Sequence, residues 1–344
     1  MMNITLKYIS AVFIILMGSG FVLGQDIHYS QMYATPLYVN PAFTGNHECD
    51  FRAAANFRRQ AASFTVPFET YTAWGDTRIY PEFLRRRGWF GLGAHLYYDN
   101  AGYGDLQKVQ GMIFTAYSQG FNSDNSLYGS LGVGLGVTNR SVNKSAFIYG
   151  DQWDDNMLMF DLGMTSADVT NIKYTSIFYY DFNLGLSLHH MVNSSWMYEV
   201  GGSISHINKP EESFFGTGGA NNKVGRKIIA HGTVQHILTN NLLLKPELYF
   251  ISHEGVNQTL LGANLVAGVA ELKLYGGFWY RFGRDIIPNV GLEYNKLTIM
   301  FSYDINVSKQ HLASNYQGGF EISLVKKFCA RKSTKREPCK FLQF

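Results

Sequence analysis

Histidine is the side chain here best suited to moving protons, and the chain has 10 of them. Two are adjacent, His189 and His190, and others stand singly at His95, His206, His231, His236 and His253. A hydrolytic centre needs a nucleophile, a base and an orienting acid within hydrogen-bond reach. No HExxH or GxSxG fixes such a centre by spacing, so scattered histidines read as lumen or rim residues of a polar interior. The stretch GDQWDD (150–155), with Asp161, gathers carboxylates that could hold a cation. It lacks the alternating acidic ligands, central glycine and distant glutamate of an EF-hand, and reads as a solvated loop. GSLGVGLGV (129–137) is no phosphate loop, because no strand-to-helix turn frames it. It alternates Leu131, Val133 and Leu135 on one face, and the small residues opposite would let another segment approach the backbone closely. The expectation is a non-enzymatic protein with no cofactor and no metal.

Three cysteines, Cys49, Cys329 and Cys339, are too few for a disulfide scaffold. Cys329 and Cys339 bracket a tail carrying Arg331, Lys332, Lys335, Arg336 and Lys340 against Glu337. In an oxidising compartment these two can pair, closing a loop worth roughly 2–3 kcal/mol by chain entropy. Cys49 is then the odd thiol. The tail is either a docking element for a periplasmic partner or a solvated basic end.

The elements that position these residues follow from composition and rhythm. The chain has 344 residues, of which 46% are apolar and only 16% charged, against about 25% charged in soluble domains. A net charge of +3 without a basic, aromatic-interleaved motif argues against a nucleic-acid partner. Lys7 followed by the apolar run Ala11–Leu23 is the pattern of a secretory signal peptide, expected to be cleaved near Gly24–Gln25. No later run reaches the length of a membrane helix.

Alternation with a period of two dominates instead. In 271–282, Leu272, Leu274, Phe278, Tyr280 and Phe282 oppose Glu271, Lys273, Tyr275, Trp279 and Arg281. In 297–308, Leu297, Ile299, Phe301, Tyr303, Ile305 and Val307 oppose Thr298, Ser302, Asp304, Asn306 and Ser308. In 178–189, Phe178, Phe182, Leu184, Leu186 and Leu188 oppose Asp181, Asn183, Ser187 and His189. Fourteen such segments are expected, at 50–60, 68–79, 88–98, 107–118, 126–139, 175–190, 196–207, 226–238, 241–252, 257–267, 269–282, 286–295, 297–308 and 317–328. Most exceed soluble-strand length and suit tilted strands crossing a bilayer. Their even number and the alternation of short and long connections fit an outer-membrane barrel with both termini periplasmic. Thr239–Asn240, the Gly268 region and Asn295–Lys296 are expected tight turns. Trp89, Tyr98, Tyr117, Trp196, Tyr249 and Tyr280 are expected in the interfacial girdle.

The fold class is therefore all-β: a transmembrane antiparallel barrel of about fourteen strands, since hydrocarbon offers an open sheet edge no hydrogen-bond partners. The expected divisions are a signal peptide at 1–24, a plug or turn segment at 25–49, the barrel at 50–328 and a basic periplasmic tail at 329–344. In the second division Pro41 fixes its own φ, Asn40 before it is pushed out of the helical region, and Gly45 permits a left-handed turn. Tyr29, Tyr33, Tyr38 and Phe43 are expected to pack on the lower interior wall, so that the segment plugs or lines the periplasmic side.

The run QDIHYSQMYATPLYVNPAFTG (25–45) resembles the N-terminal signature of the PorP/SprF family of Bacteroidota outer-membrane proteins. The matching residues are Gln25, Tyr29, Ser30, Gln31, Pro36, Leu37, Asn40, Pro41, Ala42 and Gly45. Arg52, Asn56, Phe57, Arg58, Gln60, Pro67, Thr70 and Asp76 continue the match, and Ala61 replaces the usual aromatic. The resemblance implies a role in the type IX secretion system. Partners would be secreted surface proteins with a type IX C-terminal domain (adhesins in gliding species), other type IX machinery and an OmpA-like, peptidoglycan-binding periplasmic component. The family implies no catalytic residues. The alternative function is an outer-membrane diffusion channel or small-ligand transporter.

Overall fold

The computed structural model describes residues 26–329, apart from 63–65, 85–86, 103, 162, 165, 168, 170–171, 217–221 and 310. The expected leader, and the tail from 330 with Cys339, lie outside the described residues. Fourteen strands close into one antiparallel barrel. They are β1 (Phe51–Gln60), β2 (Phe68–Ile79), β3 (Gly88–Ala101), β4 (Leu106–Gly120), β5 (Leu127–Ser141), β8 (Ser176–Met191), β9 (Trp196–Ser205), β10 (Lys227–Thr239), β11 (Leu242–His253), β12 (Val256–Val269), β13 (Leu272–Arg281), β14 (Asp285–Tyr294), β15 (Leu297–Asn306) and β16 (Gln317–Phe328). Two short strands between β5 and β8, β6 (Trp153–Asp154) and β7 (Met159–Phe160), form a separate hairpin. Each barrel strand pairs with its neighbour in sequence order, and β1 closes on β16 from Phe51↔Phe328 to Gln60↔Gly319.

The two faces differ as the alternation requires. On β8 the outward Phe178, Tyr180, Phe182, Leu184, Leu186 and Leu188 are exposed, while Asp181, Ser187 and His189 are buried inside. On β15, Leu297, Ile299 and Phe301 face out; Thr298, Ser302 and Asp304 face in. On β13, Leu274 and Phe278 face out, and Tyr275, Trp279 and Arg281 face in. An apolar exterior around a buried polar interior is the inverse of a soluble core, and is the arrangement a bilayer selects.

Several details depart from expectation. Gly268 lies within β12, and the turn falls at Ala270–Glu271, with Ala270 at φ +55°. Trp89 and Tyr249 point inward and are buried rather than joining the girdle, because their positions share the inward parity of His95 and Ile251. The ladder between β14 and β15 skips from Ile286↔Ile305 to Asn289↔Ser302, beside Pro288, which has no N–H to give. Asn295 and Lys296 do form a tight turn, with φ of 48° and 62°, the primed geometry that suits hairpin twist. The two longest connections, 142–175 and 206–226, leave the rim opposite the one where β1 begins and β16 ends. These are called below the loop rim and the terminal rim.

Candidate functional site

The lumen is occupied by residues 26–50, and this segment with its seat is the candidate site. The segment starts near the loop rim. Asp26 there meets Lys227, the first residue of β10 (2.5 Å), and Lys108 of β4 (3.0 Å), and lies 3.6 Å from His206, which is itself 2.8 Å from Asp181. Burial pushes the Asp26 carboxyl up, but Lys108, Lys227 and His206 outweigh it and hold the group well below the usual carboxylate range. Lys227 also lies 3.9 Å over the Tyr38 ring, and the Tyr38 hydroxyl donates to the Ile27 carbonyl.

The chain then crosses to the β15–β16 wall. The Ser30 N–H donates to Glu321 (2.7 Å) and its hydroxyl to Asp304 (2.7 Å). Arg58 binds Asp304 (2.7 Å) and Glu321 (2.9 Å), and Arg281 binds Asp285 (2.5 Å) and Asp304 (3.2 Å). Gln31 donates through Nε2 to Ser302 Oγ (3.0 Å) and the Glu321 carbonyl (2.8 Å). Pro36 opens one helical turn, Pro36–Val39, at the position where a missing N–H does no harm.

Asn40 turns the segment back towards β8–β10. It adopts φ −154°, ψ 119°, the extended backbone required before Pro41. Its Oδ1 accepts from Ala42 N–H (2.9 Å), capping the short turn Pro41–Phe43. Its Nδ2 donates to the Leu186 carbonyl (2.9 Å) and lies 2.9 Å from His231 Nε2. The wall makes room with glycine: a Cβ on Gly132 would overlap the Pro41 carbonyl group, and one on Gly91 would overlap the Thr44 carbonyl. The small face of 129–137 is thus where the segment approaches.

At the terminal rim Gly45 sits at φ +70°, and its N–H donates to Asp76 Oδ2 (2.8 Å). Arg52 clamps the same carboxylate in a fork, 2.9 Å and 2.9 Å. His47 lies 3.7 Å from Asp76; burial and Arg52 bring its pKa down to about 3. The five signature residues Gln31, Pro36, Asn40, Pro41 and Gly45 are all buried in the lumen. The segment's aromatics do not all pack low. Tyr38 is beside Lys227 near the loop rim, and Tyr33 stacks on Trp279 with centroids 5.6 Å apart. The segment spans the lumen because Asp26 finds its cations at the far end of the strands.

The expected Cys329–Cys339 pair gives way to another: Cys329 is bonded to Cys49. Asp50 N–H donates to the Phe328 carbonyl (3.0 Å) and Phe51 pairs with Phe328. That register places the Cα atoms of Cys49 and Cys329 4.4 Å apart, within disulfide reach. The lower end of the luminal segment is therefore stapled to the last strand.

Of the histidines, His95, His189, His206, His231 and His253 are buried in the interior, while His190 faces out. His189 Nε2 lies 3.1 Å from Ser187 Oγ, and Nδ1 lies 3.1 Å from Glu199 Oε2. This resembles a nucleophile, base and acid in line. The segment itself occupies the place: Asn46 Nδ2 is 3.0 Å from the same Nε2, Tyr128 donates to Asn46 Oδ1 (2.9 Å), and Tyr128 stacks on the imidazole. The arrangement binds the protein's own asparagine. In the 150–161 loop the carboxylates accept from backbone: Asp154 from Asn156 N–H (2.7 Å), Asp161 from Gly163 N–H (2.9 Å) and Asp151 from Ala167 N–H (2.7 Å). Among the described residues no group of His, Cys, Asp and Glu is placed to hold a metal. A residual cavity of about 50 Å³ lies between Met32, Tyr33 and Phe43 and the wall side chains Glu199, Gln235, Lys245 and Glu247.

The clamps at Asp26 and around Ser30 were not legible as pairs in the sequence. Their members fall on the polar phase of each strand, which signals an interior position. Nothing in spacing joins Ser30 to residues more than 270 positions away.

A family model described as type IX secretion system membrane protein PorP/SprF matches residues 22–325. No curated protein matches the chain. Among solved structures, the toluene transporter TbuX of Ralstonia pickettii is similar at 11% identity and TM-score 0.50, covering 86% of this chain and 94% of that one. A TodX deletion mutant, described as a monoaromatic hydrocarbon channel, is similar at 9% identity and TM-score 0.52, covering 85% of this chain and 94% of that one. At such identity the likeness concerns the barrel fold.

Proposed function

The chain belongs to the PorP/SprF family of type IX secretion system membrane proteins, and from that premise we propose that it is a non-enzymatic outer-membrane platform. It aids the secretion or surface attachment of proteins bearing a type IX C-terminal domain. Its terminal rim faces the periplasm, where an OmpA-like component and other machinery are within reach. Its loop rim faces outward, and the leader is removed near Gly24–Gln25.

The observation that carries this reading is the filled lumen. Residues 26–50 are held by two ionic clamps, glycine seats and a disulfide. A barrel so occupied offers its rims as working surfaces, and the long connections 142–175 and 206–226 enlarge one of them.

The test compares the secreted and surface proteomes of a strain lacking this protein with those of its parent. Loss of proteins with type IX C-terminal domains from the surface supports the platform. Loss of only a nutrient-uptake phenotype would assign the barrel to small-ligand transport instead. Deleting 26–45 should raise antibiotic or dye permeability, and an unchanged barrier would remove the occluding role of the segment.

A further inference from the structure

The 142–175 connection holds a feature that neither the barrel nor its luminal segment uses. β6 and β7 pair as Trp153↔Phe160 and Asp154↔Met159, with the Trp153 and Phe160 rings 5.0 Å apart. The hairpin is internally braced. Asp161 N–H donates to the Gln152 carbonyl (2.8 Å), the Gln152 amide donates to the Met164 carbonyl (2.7 Å), and Asp154 accepts from Asn156 N–H (2.7 Å) and Met157 N–H (3.2 Å). Yet its tip presents Met157, Leu158 and Met159 at 64%, 73% and 56% exposure. Leu158 takes φ +51° in the turn of this hairpin. A braced loop that displays three adjacent apolar side chains to solvent has the form of a binding tip. Methionine adds adaptable contact surface.

The charge around the tip defines what covers it. Between 150 and 161 stand Asp151, Asp154, Asp155 and Asp161 and no Lys or Arg. Each of Asp151, Asp154 and Asp161 orders a loop N–H, and Asp155 and Asp161 are exposed while Asp154 is half-exposed beside the tip. Such a collar repels phosphate-bearing lipid headgroups and complements lysine and arginine.

We propose that this hairpin is a docking tip for the secreted client, a folded protein whose apolar socket is rimmed by basic side chains. Leu158 enters the socket, with Met157 and Met159 beside it, and Asp154 and Asp155 meet the rim. This inference rests on the platform reading and names the surface that holds the client.

The experiment complements a strain lacking the protein with wild type, with a triple variant Met157→Ser, Leu158→Ser, Met159→Ser, and with a double variant Asp154→Lys, Asp155→Lys. The readout is the ratio of surface-held to released reporter carrying a type IX C-terminal domain. The amount of folded barrel in each strain is measured on unheated gels. Both variants are expected to shift reporter from surface to medium by roughly tenfold or more, as for loss of an interface anchor, at unchanged barrel levels. Wild-type retention in both variants, where the deletion strain loses the reporter, overturns the docking tip and leaves the platform standing. Retention in the deletion strain itself overturns the platform and the tip together. Loss of binding of the purified barrel to lipid A vesicles in the triple variant, with reporter retention intact, would assign the tip to the membrane and overturn the proposal.

Discussion

The two ends of the luminal segment are held by different means. At the loop rim Asp26 and Ser30 are gripped by side chains alone: two lysines and His206 around one, and Arg58, Arg281, Asp304 and Glu321 around the other. At the terminal rim the hold is largely backbone and covalent: Gly45 N–H on Asp76, the Thr44 carbonyl against Gly91, and Cys49 bonded to Cys329. The lower end is joined covalently to the end of the last strand. The upper end is held without a covalent bond, by these charges and by the packing of Tyr29, Met32 and Tyr33 against the wall. Covalent geometry fixes where a segment is anchored, while buried ion pairs and apolar contacts hold the remainder against the wall.

Breaking the upper hold has the largest expected effect. Arg58→Ala leaves Asp304 and Glu321 with one cation fewer in a buried site, and should cost about 3–5 kcal/mol. The measurement is the temperature at which unheated folded barrel converts to the unfolded mobility. The same loss in an Asp304→Asn, Glu321→Gln background would mean that Arg58 does not act through this network.

At the lower hold, Gly91→Ala drives a methyl group into the Thr44 carbonyl and should cost about 1–3 kcal/mol. It should speed amide exchange at 44–47 while leaving 26–31 protected. Exchange unchanged at Gly45 would show that the wall yields and the seat is not needed.

A fall from pH 7 to pH 5 acts on both ends through one histidine each. His47 has its pKa depressed to about 3, below its value of about 6.5 when released. The released segment therefore binds more protons in that window. The His47 contribution is complete above about pH 6.5 and weakens as pH falls, by on the order of 2 kcal/mol at pH 5. Asp26 is depressed well below the carboxylate range, so its stabilisation persists at pH 5. Burial and Arg281 bring the neighbouring His28 down to about 3 as well, however, and the upper end weakens in the same window. Amide exchange should rise at both 26–31 and 44–47, and His47→Asn should remove only the rise at 44–47.

Cys49→Ser has the smallest effect on the seated segment, because Asp50 N–H already holds the Phe328 carbonyl. Its cost, up to roughly 5 kcal/mol by chain entropy, falls on the fully unfolded chain, where the bond no longer closes a loop of 280 residues. Protease access should increase only near 46–50. Release of Asp26 on reduction would show that the two ends are coupled.

The barrel was readable because its constraint is local. Leu184, Leu186 and Leu188 must face hydrocarbon while Ser187 and His189 must not, so each strand carries its own period of two. Turn sites were harder: Gly268 proved to be strand, since within a barrel a glycine serves the sheet as readily as the turn. Trp89 and Tyr249 show the same limit, because an aromatic at a strand end suits either the interface or the lumen until its parity is fixed. The signature residues were found through type and spacing, and the backbone states of Asn40 and Gly45 follow from proline and glycine chemistry.

What the sequence by itself determined is therefore the set of strands, the faces they turn outward and the local bends of the segment before them. All of these depend on residues a few positions apart. The tertiary structure alone decided the partners. Cys49 meets Cys329 rather than leaving it to Cys339, Ser30 meets Asp304, and Asp26 meets Lys227 only because barrel closure brings distant strands to one lumen. A pairing across 280 positions is set by closure and register, and the spacing of the residues along the chain holds no trace of it.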